Sequence, residues 1–413
     1  MCDYYMENRP DINISDFTYC LPQEKIAAYP LPDRDASKLL LFRDNKISHA
    51  EFHQLSSYIP VNSLIIFNDT KVVNARLLFE KETGAGIEIF CLEPVCPADY
   101  QLVFQSTQQC EWNCLVGNLK KWKSGRLKKT ILHKNHEVSI FAEITKKGGD
   151  SHNILFSWND SSLTFAQILE VAGNIPIPPY LNRKSENIDL TRYQTIYGIT
   201  PGSVAAPTAG LHFTDSVIET LEKKNIARDK ITLHVGAGTF KPVQTEKISD
   251  HEMHHEKVII TKENLINLVK HTGQITATGT TTVRTIESLY WLGAKMTVDK
   301  TTTPENFSIS QWEPYNSDLN ISPAAALERI LEYMDKKNLK QISGSTQIMI
   351  APGYSFRLTD RIITNFHQPG STLLLLIAAF TGTDWKKIYE YALKNEFRFL
   401  SYGDSSLLFR LTV

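Results

Sequence analysis

Three imidazoles and two carboxylates fall within six residues, at His251, Glu252, His254, His255 and Glu256. Imidazoles change charge near neutrality, so this run is the sharpest candidate in the chain for an acid or a base. On a helix, His251, His254 and His255 would share a face and could hold a metal; histidines on a solvated turn are the alternative. A second unusual stretch is Gly202–Thr214, GSVAAPTAGLHFT. Its small residues offer little to a core, and a loop stripped of bulk lets backbone amides approach a ligand. A tight packing turn is the alternative. Cys91, Cys96, Cys110 and Cys114 lie in a loose zinc-ribbon spacing. Cys91 alternates with Ile89 in an apolar run, which suits packing better than ligation, and no metal is expected.

These residues need elements to position them. Open α/β sheets bind ligands beyond the carboxyl ends of their strands. Ser63–Phe67 leads to Asn68 and Asp69, and Ile231–Val235 to Gly236 and Gly238. Gln274–Thr278 leads to Gly279, Thr280 and Thr281, Gln347–Ala351 to Pro352 and Gly353, and Ile362–Phe366 to His367, Ser371 and Thr372. Small and polar residues at five strand ends point to one crevice for a polar small molecule. Singly each is weak: Gly236 and Gly238 also read as a tight turn, and Gly279 with its threonines as a plain helix cap.

From about residue 162 onward, strands alternate with helices begun by Thr164, Thr214, Thr261 and Ser322. From about 73 to 161 the chain reads almost wholly as strands: Arg76–Glu82, Ile87–Leu92, Gln101–Gln105, Trp112–Val116, Leu127–Leu132, Val138–Ile144 and Ile154–Trp158. The expected fold is α/β: a mixed-sheet main domain over 1–72 and 162–413, with an inserted all-β barrel-like domain at 73–161. Residues 297–320, rich in Thr, Ser, Asn and Pro, read as a surface excursion.

The 413 residues carry 44 Lys and Arg against 45 Asp and Glu, a formal charge of −1. That balance excludes a polycation, so nucleic acid would need a local basic patch. Lys120, Lys121, Lys123, Arg126, Lys128, Lys129 and Lys134 supply one on the insert; a solvated barrel face is the other reading. Six cysteines are too sparse for a disulfide framework in a chain of this length. No signal-peptide pattern opens the chain, and the longest apolar run, Leu373–Phe380, is far short of the ~20 residues of a spanning helix. A cytoplasmic protein without a membrane partner is expected, with a monomer favoured.

Together these stretches resemble the S-adenosylmethionine:tRNA ribosyltransferase-isomerase family of queuosine biosynthesis. The resemblance runs from LPQEKIAAYP (Leu21–Pro30) through FNDTKVVNARL (Phe67–Leu77), RYQTIYG (Arg192–Gly198), GSVAAPTAGLHFT and ITLHVGAGTFKPV (Ile231–Val243). It continues through HEMHHE, GTTTVRTIES (Gly279–Ser288), APGYSF (Ala351–Phe356) and TNFHQPGSTLLLL (Thr364–Leu376) to FRFLSYGD (Phe397–Asp404). Gln368 stands where leucine is expected and Gly198 where alanine is, and the stretches at 119–129 and 293–341 look expanded.

The resemblance implies an α/β domain with an inserted β-barrel. It implies S-adenosyl-L-methionine as co-substrate and, as partner, tRNA carrying a 7-aminomethyl-7-deazaguanine wobble base. The ribosyl part of the donor would move to that amine and isomerise, giving epoxyqueuosine-tRNA with release of adenine and methionine. The sulfonium acidifies the C5′ hydrogens, but a base must still remove one, and adenine leaves more readily with a proton donor. For proton transfer the candidates are His254 and Glu256, with His251 and Asp69 behind them. For donor or base contact they are Tyr193, Gln194, Ser203, Thr208, His212, Gly236, Gly238, Thr280, Arg284, His367 and Ser371. For tRNA phosphates they are Lys120, Lys121 and Arg126. A tRNA methyltransferase using the same donor is the alternative; its acidic G-x-G-x-G loop is lacking, and Gly236-Ala237-Gly238 is the nearest approach.

Overall fold

The computed structural model describes residues 9–81, 83–236, 243 and 245–411. The chain enters through a hairpin, β1 (Lys38–Arg43) and β2 (Lys46–Glu51), whose turn residues Asp44 and Asn45 both take positive φ. That is the two-residue turn whose twist matches the strands it joins. Next come β3 (Leu64–Asn68) and the short β4 (Thr70–Val72). The insert follows as β5 (Arg76–Glu80), β6 (Gly86–Cys96), α1 (Tyr100–Gln105), β7 (Gln109–Val116), β8 (Leu127–His133), β9 (His136–Lys147) and β10 (His152–Trp158). Then come α2 (Phe165–Ala172), β11 (Gly173–Asn174), α3 (Asn187–Arg192), β12 (Thr200–Ser203), α4 (Asp215–Lys223), β13 (Ala227–His234) and β14 (Glu256–Thr261). The chain closes with α5 (Lys262–Lys270), β15 (Ile275–Thr278), α6 (Thr280–Val298), β16 (Phe307–Ile309), α7 (Pro323–Lys337), β17 (Gln341–Thr346), β18 (Arg361–Asn365), α8 (Thr372–Thr381), α9 (Trp385–Lys394) and β19 (Ser405–Phe409).

Ten strands form one mixed sheet in the order β16-β17-β14-β13-β3-β15-β18-β19-β1-β2. Its centre, β13-β3-β15-β18, is parallel, while β14 runs against β13 and β17, and β19 against β18. The carboxyl ends of β17, β13, β3, β15 and β18 therefore share one edge with the amino ends of β14 and β19. An α/β sheet puts its ligands beyond such an edge.

The insert is a seven-stranded antiparallel sheet, β11-β5-β6-β7-β10-β9-β8. Its outer strands approach where Lys129 Nζ on β8 donates to the carbonyls of Leu78 (3.1 Å) and Ala172 (3.0 Å). Among the described residues no ladder joins β8 to β5, so the sheet is a half-barrel and not the closed barrel the strand count implied. Two expected strands also differ. Gln101–Gln105 is helix α1, because Asp99 caps it by accepting from the amides of Gln101 and Leu102. Gln347–Ala351 is irregular buried chain; the ladder with β14 uses Gln341–Thr346 instead.

Helix α6 is the central packing element, with sixteen residues buried among its nineteen, so a polar group on it needs an internal partner. Glu287 meets that demand fully. Its carboxylate accepts from the Tyr354 hydroxyl (2.9 Å), the amides of Arg357 (2.9 Å), Leu358 (3.0 Å) and Thr359 (2.9 Å), and the Thr359 hydroxyl (2.8 Å). The loop between β17 and β18 is thereby fastened to the helix. The residues 297–320, expected as a surface excursion, contribute β16 and the buried Trp312 to the interior. Among the described residues no helix is long and apolar enough to cross a membrane.

Glu287→Gln places an amide NH2 against donors that need an acceptor. The expected loss of stability in urea denaturation is about 3 kcal/mol, the scale of one or two charge-assisted bonds. A midpoint unchanged from the parent would contradict the role given to this carboxylate.

Candidate functional site

Beyond the carboxyl edge lies a crevice whose wall is built from three motifs. Ala205–Ala209 comes from the small-residue loop, Gly279–Thr281 from the start of α6, and Thr364–Gln368 with Ser371 from the end of β18 and the segment leading to α8. Gly279 takes φ +90°, a backbone state that L side chains rarely adopt, and this turns the chain sharply from β15 into α6. Thr208, Thr280, His367 and Ser371, chosen from sequence, all line this crevice. So do Tyr180, Asn365 and Gln368, which sequence reasoning did not choose. Asn365 lay inside a quoted motif, as the last residue of β18, where strand-end logic would have found it had the strand been ended two residues earlier.

The histidine run sits at the rim of the same edge. It is extended and not helical, since Gln311 Nε2 donates to the His251 carbonyl (2.6 Å), Gln311 Oε1 accepts from the Met253 amide (2.9 Å), and Gln347 Nε2 donates to the Met253 carbonyl (2.9 Å). The expectation of a shared helical face for His251, His254 and His255 therefore fails. The His251-Glu252-x-x-His255 spacing accordingly does not make the helical face of a zinc site. Among the described residues no group of three or more His, Cys, Asp or Glu is arranged to hold a metal.

The register Lys257↔His234 brings Glu256 level with Val235, which lines the crevice. Glu256 is fully buried and bonds Arg284 of α6 through Oε2 at 2.7 Å. Its other oxygen lies 3.4 Å from His254 Nε2, within ion-pair range but without hydrogen-bond geometry. Burial pushes the Glu256 carboxyl up, but Arg284 and His254 together outweigh it and hold it below the ordinary carboxylate range. Glu256 is therefore ionised at neutral pH. Arg284 gives Nε to the Ile348 carbonyl (3.0 Å) and Nη1 to Glu256, leaving Nη2 without a hydrogen-bond partner among the described residues. Burial, with His254 adding to it, pushes His251 down.

Other candidates prove to be framework. Gln194 clamps the Val72 backbone, accepting from its amide (3.0 Å) and donating to its carbonyl (2.8 Å). Ser203 accepts from the Val235 amide at 2.8 Å and pairs with the Thr70 hydroxyl at 2.6 Å. Tyr193 is fully buried against Tyr402. Asp69 is pushed up by burial, partly offset by the hydroxyls of Thr232 (2.7 Å) and Thr200 (3.4 Å). Thr232 faces Ile259, three residues along β14 from Glu256, so Asp69 stands roughly 10 Å down the sheet from the His254 site. His212 is buried with both ring nitrogens bonded, to Ser37 and Asn365. Gly236 is described at the end of β13, while Gly238 lies outside the described residues.

On the insert, Lys120, Lys121 and Arg126 are exposed. Arg126 stacks on Phe141 at 3.9 Å and bonds Ser157. Lys129, by contrast, serves as the strap between β8 and β5. Cys91, Cys110 and Cys114 are buried in the half-barrel core, whereas Cys96 is exposed.

A family model described as queuosine biosynthesis protein matches residues 14–408. The chain is 34% identical over 402 residues to the S-adenosylmethionine:tRNA ribosyltransferase-isomerase of Trichlorobacter lovleyi, covering 96% of this chain and 99% of that one. It is 36% identical over 404 residues to the protein of the same name from Thermotoga petrophila, covering 96% and 100%. A solved structure, an S-adenosylmethionine tRNA ribosyltransferase from Thermotoga maritima, aligns at 27% identity over 95% of this chain and 100% of that chain, with a TM-score of 0.45.

Three buried imidazoles make stability depend on pH. Burial pushes His212 and His367 down to about 3 and His234 to about 4, in the last case with help from Lys257. Unfolded histidines take up protons below about pH 6.5 that the folded protein refuses. Their contribution is complete above that value and is lost as pH falls, by about 1.4 kcal/mol per pH unit for each ring. Urea unfolding at pH 7.5, 6.0 and 5.0 is expected to show this decline, and His367→Gln to flatten it by about a third, one ring of the three. A stability independent of pH in that window would contradict the assignment of three neutral rings.

Proposed function

The chain belongs to the queuosine biosynthesis protein family and is an S-adenosylmethionine:tRNA ribosyltransferase-isomerase, and from that premise we propose how its crevice works. S-adenosylmethionine is the ribosyl donor, and the acceptor is the amine of a 7-aminomethyl-7-deazaguanine in the tRNA wobble position. The crevice takes the neutral end of the donor. Its charged end lies toward the start of β14, where Arg284 and Glu256 supply fixed charge of both signs.

The observation that carries this reading is the buried Glu256–Arg284 pair beneath His254, at the rim of a crevice lined by no Asp, Glu, Lys or Arg among the described residues. Glu256, held ionised, is a poor proton donor. It fixes His254, whose side chain is 29% exposed and can reach a ligand. His254 removes the C5′ proton. Thr208, Thr280, His367 and Ser371 contact the donor, and Gly236 follows β13 beside it. The unit at 1–72 and 162–413 does the chemistry, while the insert at 73–161 holds tRNA through Lys120, Lys121 and Arg126. The protein works in the cytoplasm, where its tRNA is, and needs no metal.

Purified enzyme with S-adenosylmethionine and suitably modified tRNA is expected to release adenine and methionine together and to add a ribose-derived ring to the nucleoside. Transfer of a labelled methyl group would refute the reading. His254→Ala is expected to slow single turnover at saturating donor by roughly a hundredfold with donor affinity nearly kept. Glu256→Gln is a poorer probe, because it strands the buried Arg284 charge at about 3–5 kcal/mol of stability. A folded His254→Ala enzyme reacting at the parent rate would move the base elsewhere.

Replacing Lys120, Lys121 and Arg126 together by alanine is expected to weaken tRNA binding and reduce its salt dependence, by about 0.7–0.9 in log–log slope for each phosphate no longer neutralised. Binding of S-adenosylmethionine alone should stay unchanged. An unaltered salt slope would place the RNA on another face.

A further inference from the structure

Asn365 ends β18, is 4% exposed and lines the crevice. Its amide nitrogen has two partners: Nδ2 donates to His212 Nε2 at 3.1 Å and to the Asp404 carbonyl at 3.4 Å. A backbone carbonyl can only accept, so the atom facing it must be nitrogen. That fixes the orientation of the amide. His212 Nε2 is then an acceptor, its ring proton sits on Nδ1, and Nδ1 meets the Ser37 hydroxyl at 2.8 Å. Burial keeps this ring neutral, so it cannot offer protons from both nitrogens. The chain Ser37–His212–Asn365 leaves one buried acceptor without a partner among the described residues, Asn365 Oδ1.

We propose that Asn365 Oδ1 accepts the exocyclic amino group of a purine-type base, and that His212 is the positioning residue that prevents the amide from turning over. No Asp, Glu, Lys or Arg lines the crevice among the described residues, which disfavours an ammonium or a carboxylate there. Ala205, Ala206, Pro207, Val235 and Phe366 give it apolar walls suited to a flat neutral ring. A base with a carbonyl at the contacted position would set acceptor against acceptor and leave both unsatisfied. That mismatch is the kind a buried polar site rejects strongly. The inference rests on the ribosyltransferase reading, in which the crevice takes the adenine of the donor; the deazaguanine of the tRNA is the other base with such an amino group, and the test separates the two.

The test is calorimetric binding of two unreactive probe pairs, with no turnover required. The first pair is 5′-methylthioadenosine and 5′-methylthioinosine, which differ in the amino or oxo group at C6. The second is free 7-aminomethyl-7-deazaguanine and its form lacking the 2-amino group. The parent protein is expected to prefer the amino member of one pair by roughly tenfold to a hundredfold, and which pair responds identifies the base. Asn365→Leu is expected to reduce that ratio to within about threefold. His212→Phe keeps the ring's bulk but frees the amide to turn, so it too should lower the ratio, in the first pair chiefly by improving binding of the oxo member. Thermal melts establish that each variant folds; if neither does, the parent ratios still decide. Equal binding within both pairs by the parent, or an undiminished preference in folded Asn365→Leu, overturns the proposal. Should the parent release adenine and methionine with tRNA while discriminating in neither pair, the Asn365 assignment fails and the ribosyltransferase reading stands. Should no adenine be released, that reading is the one that fails.

Discussion

A guanidinium inside a buried helix must be neutralised, and the pairing of Arg284 with Glu256 at 2.7 Å does this across the space between α6 and the start of β14. Much of the edge depends on it. Removing either charge leaves the other buried without compensation, so the pair fixes the position of β14's first residue against the helix. That residue in turn stands under His254. The same helix carries Thr280 and Thr281 into the crevice, bonds Thr346 at the end of β17 through Ser288, and holds the 354–359 loop through Glu287. Its first turns thus tie separate parts of the edge to one rigid body. A site whose parts all refer to one helix can keep its geometry while a large substrate docks against it.

The edge separates charge from neutrality. At the β14 side stand a carboxylate, a guanidinium and a half-exposed imidazole. At the β15–β18 side the polar groups are hydroxyls, amides and histidines held neutral by burial. His367 has its Nε2 against the Thr364 hydroxyl at 3.0 Å, while its backbone carbonyl accepts from the Tyr19 hydroxyl at 2.5 Å. Such groups give direction without the desolvation penalty of an ion. A sulfonium nucleoside has the same division, one flat neutral heterocycle and one charged tail, and this likeness underlies the donor placement proposed above.

Much of this was legible in the sequence, for stated physical reasons. The N-caps at Thr164, Thr214, Thr261 and Ser322 each accept from a first-turn amide, as their residue types implied. Alternating apolar residues marked six of the seven strands read in the insert. The seventh failed because Asp99, one short side chain, turned a β-rich run into a helix. The Gln347–Ala351 run failed because an apolar string can be buried without being paired, while the polar Gln341–Thr346 took the ladder. Thr280, His367 and Ser371 line the crevice as strand-end logic implied, because that logic concerns backbone direction. His212 and Gln194 were chosen as binding residues because their types are chemically active. Only tertiary partners reveal that both are engaged within the framework.

The segment at 297–320 shows the limit of composition most clearly. Rich in threonine, serine and asparagine, it reads as solvated chain, yet Gln311 supplies both a donor and an acceptor to the backbone around Met253. Trp312 packs with Met253, Met349 and Leu375 in the same apolar cluster. An extended run of three histidines has no ladder of its own to hold it. Two glutamine side chains, Gln311 and Gln347, take the place of the missing strand partner, and the buried Met253 between them sets which residues face inward. With Met253 inward and Glu256 buried, the intervening His254 is left at the surface of the edge, near enough to Glu256 to be oriented and open enough to meet a ligand.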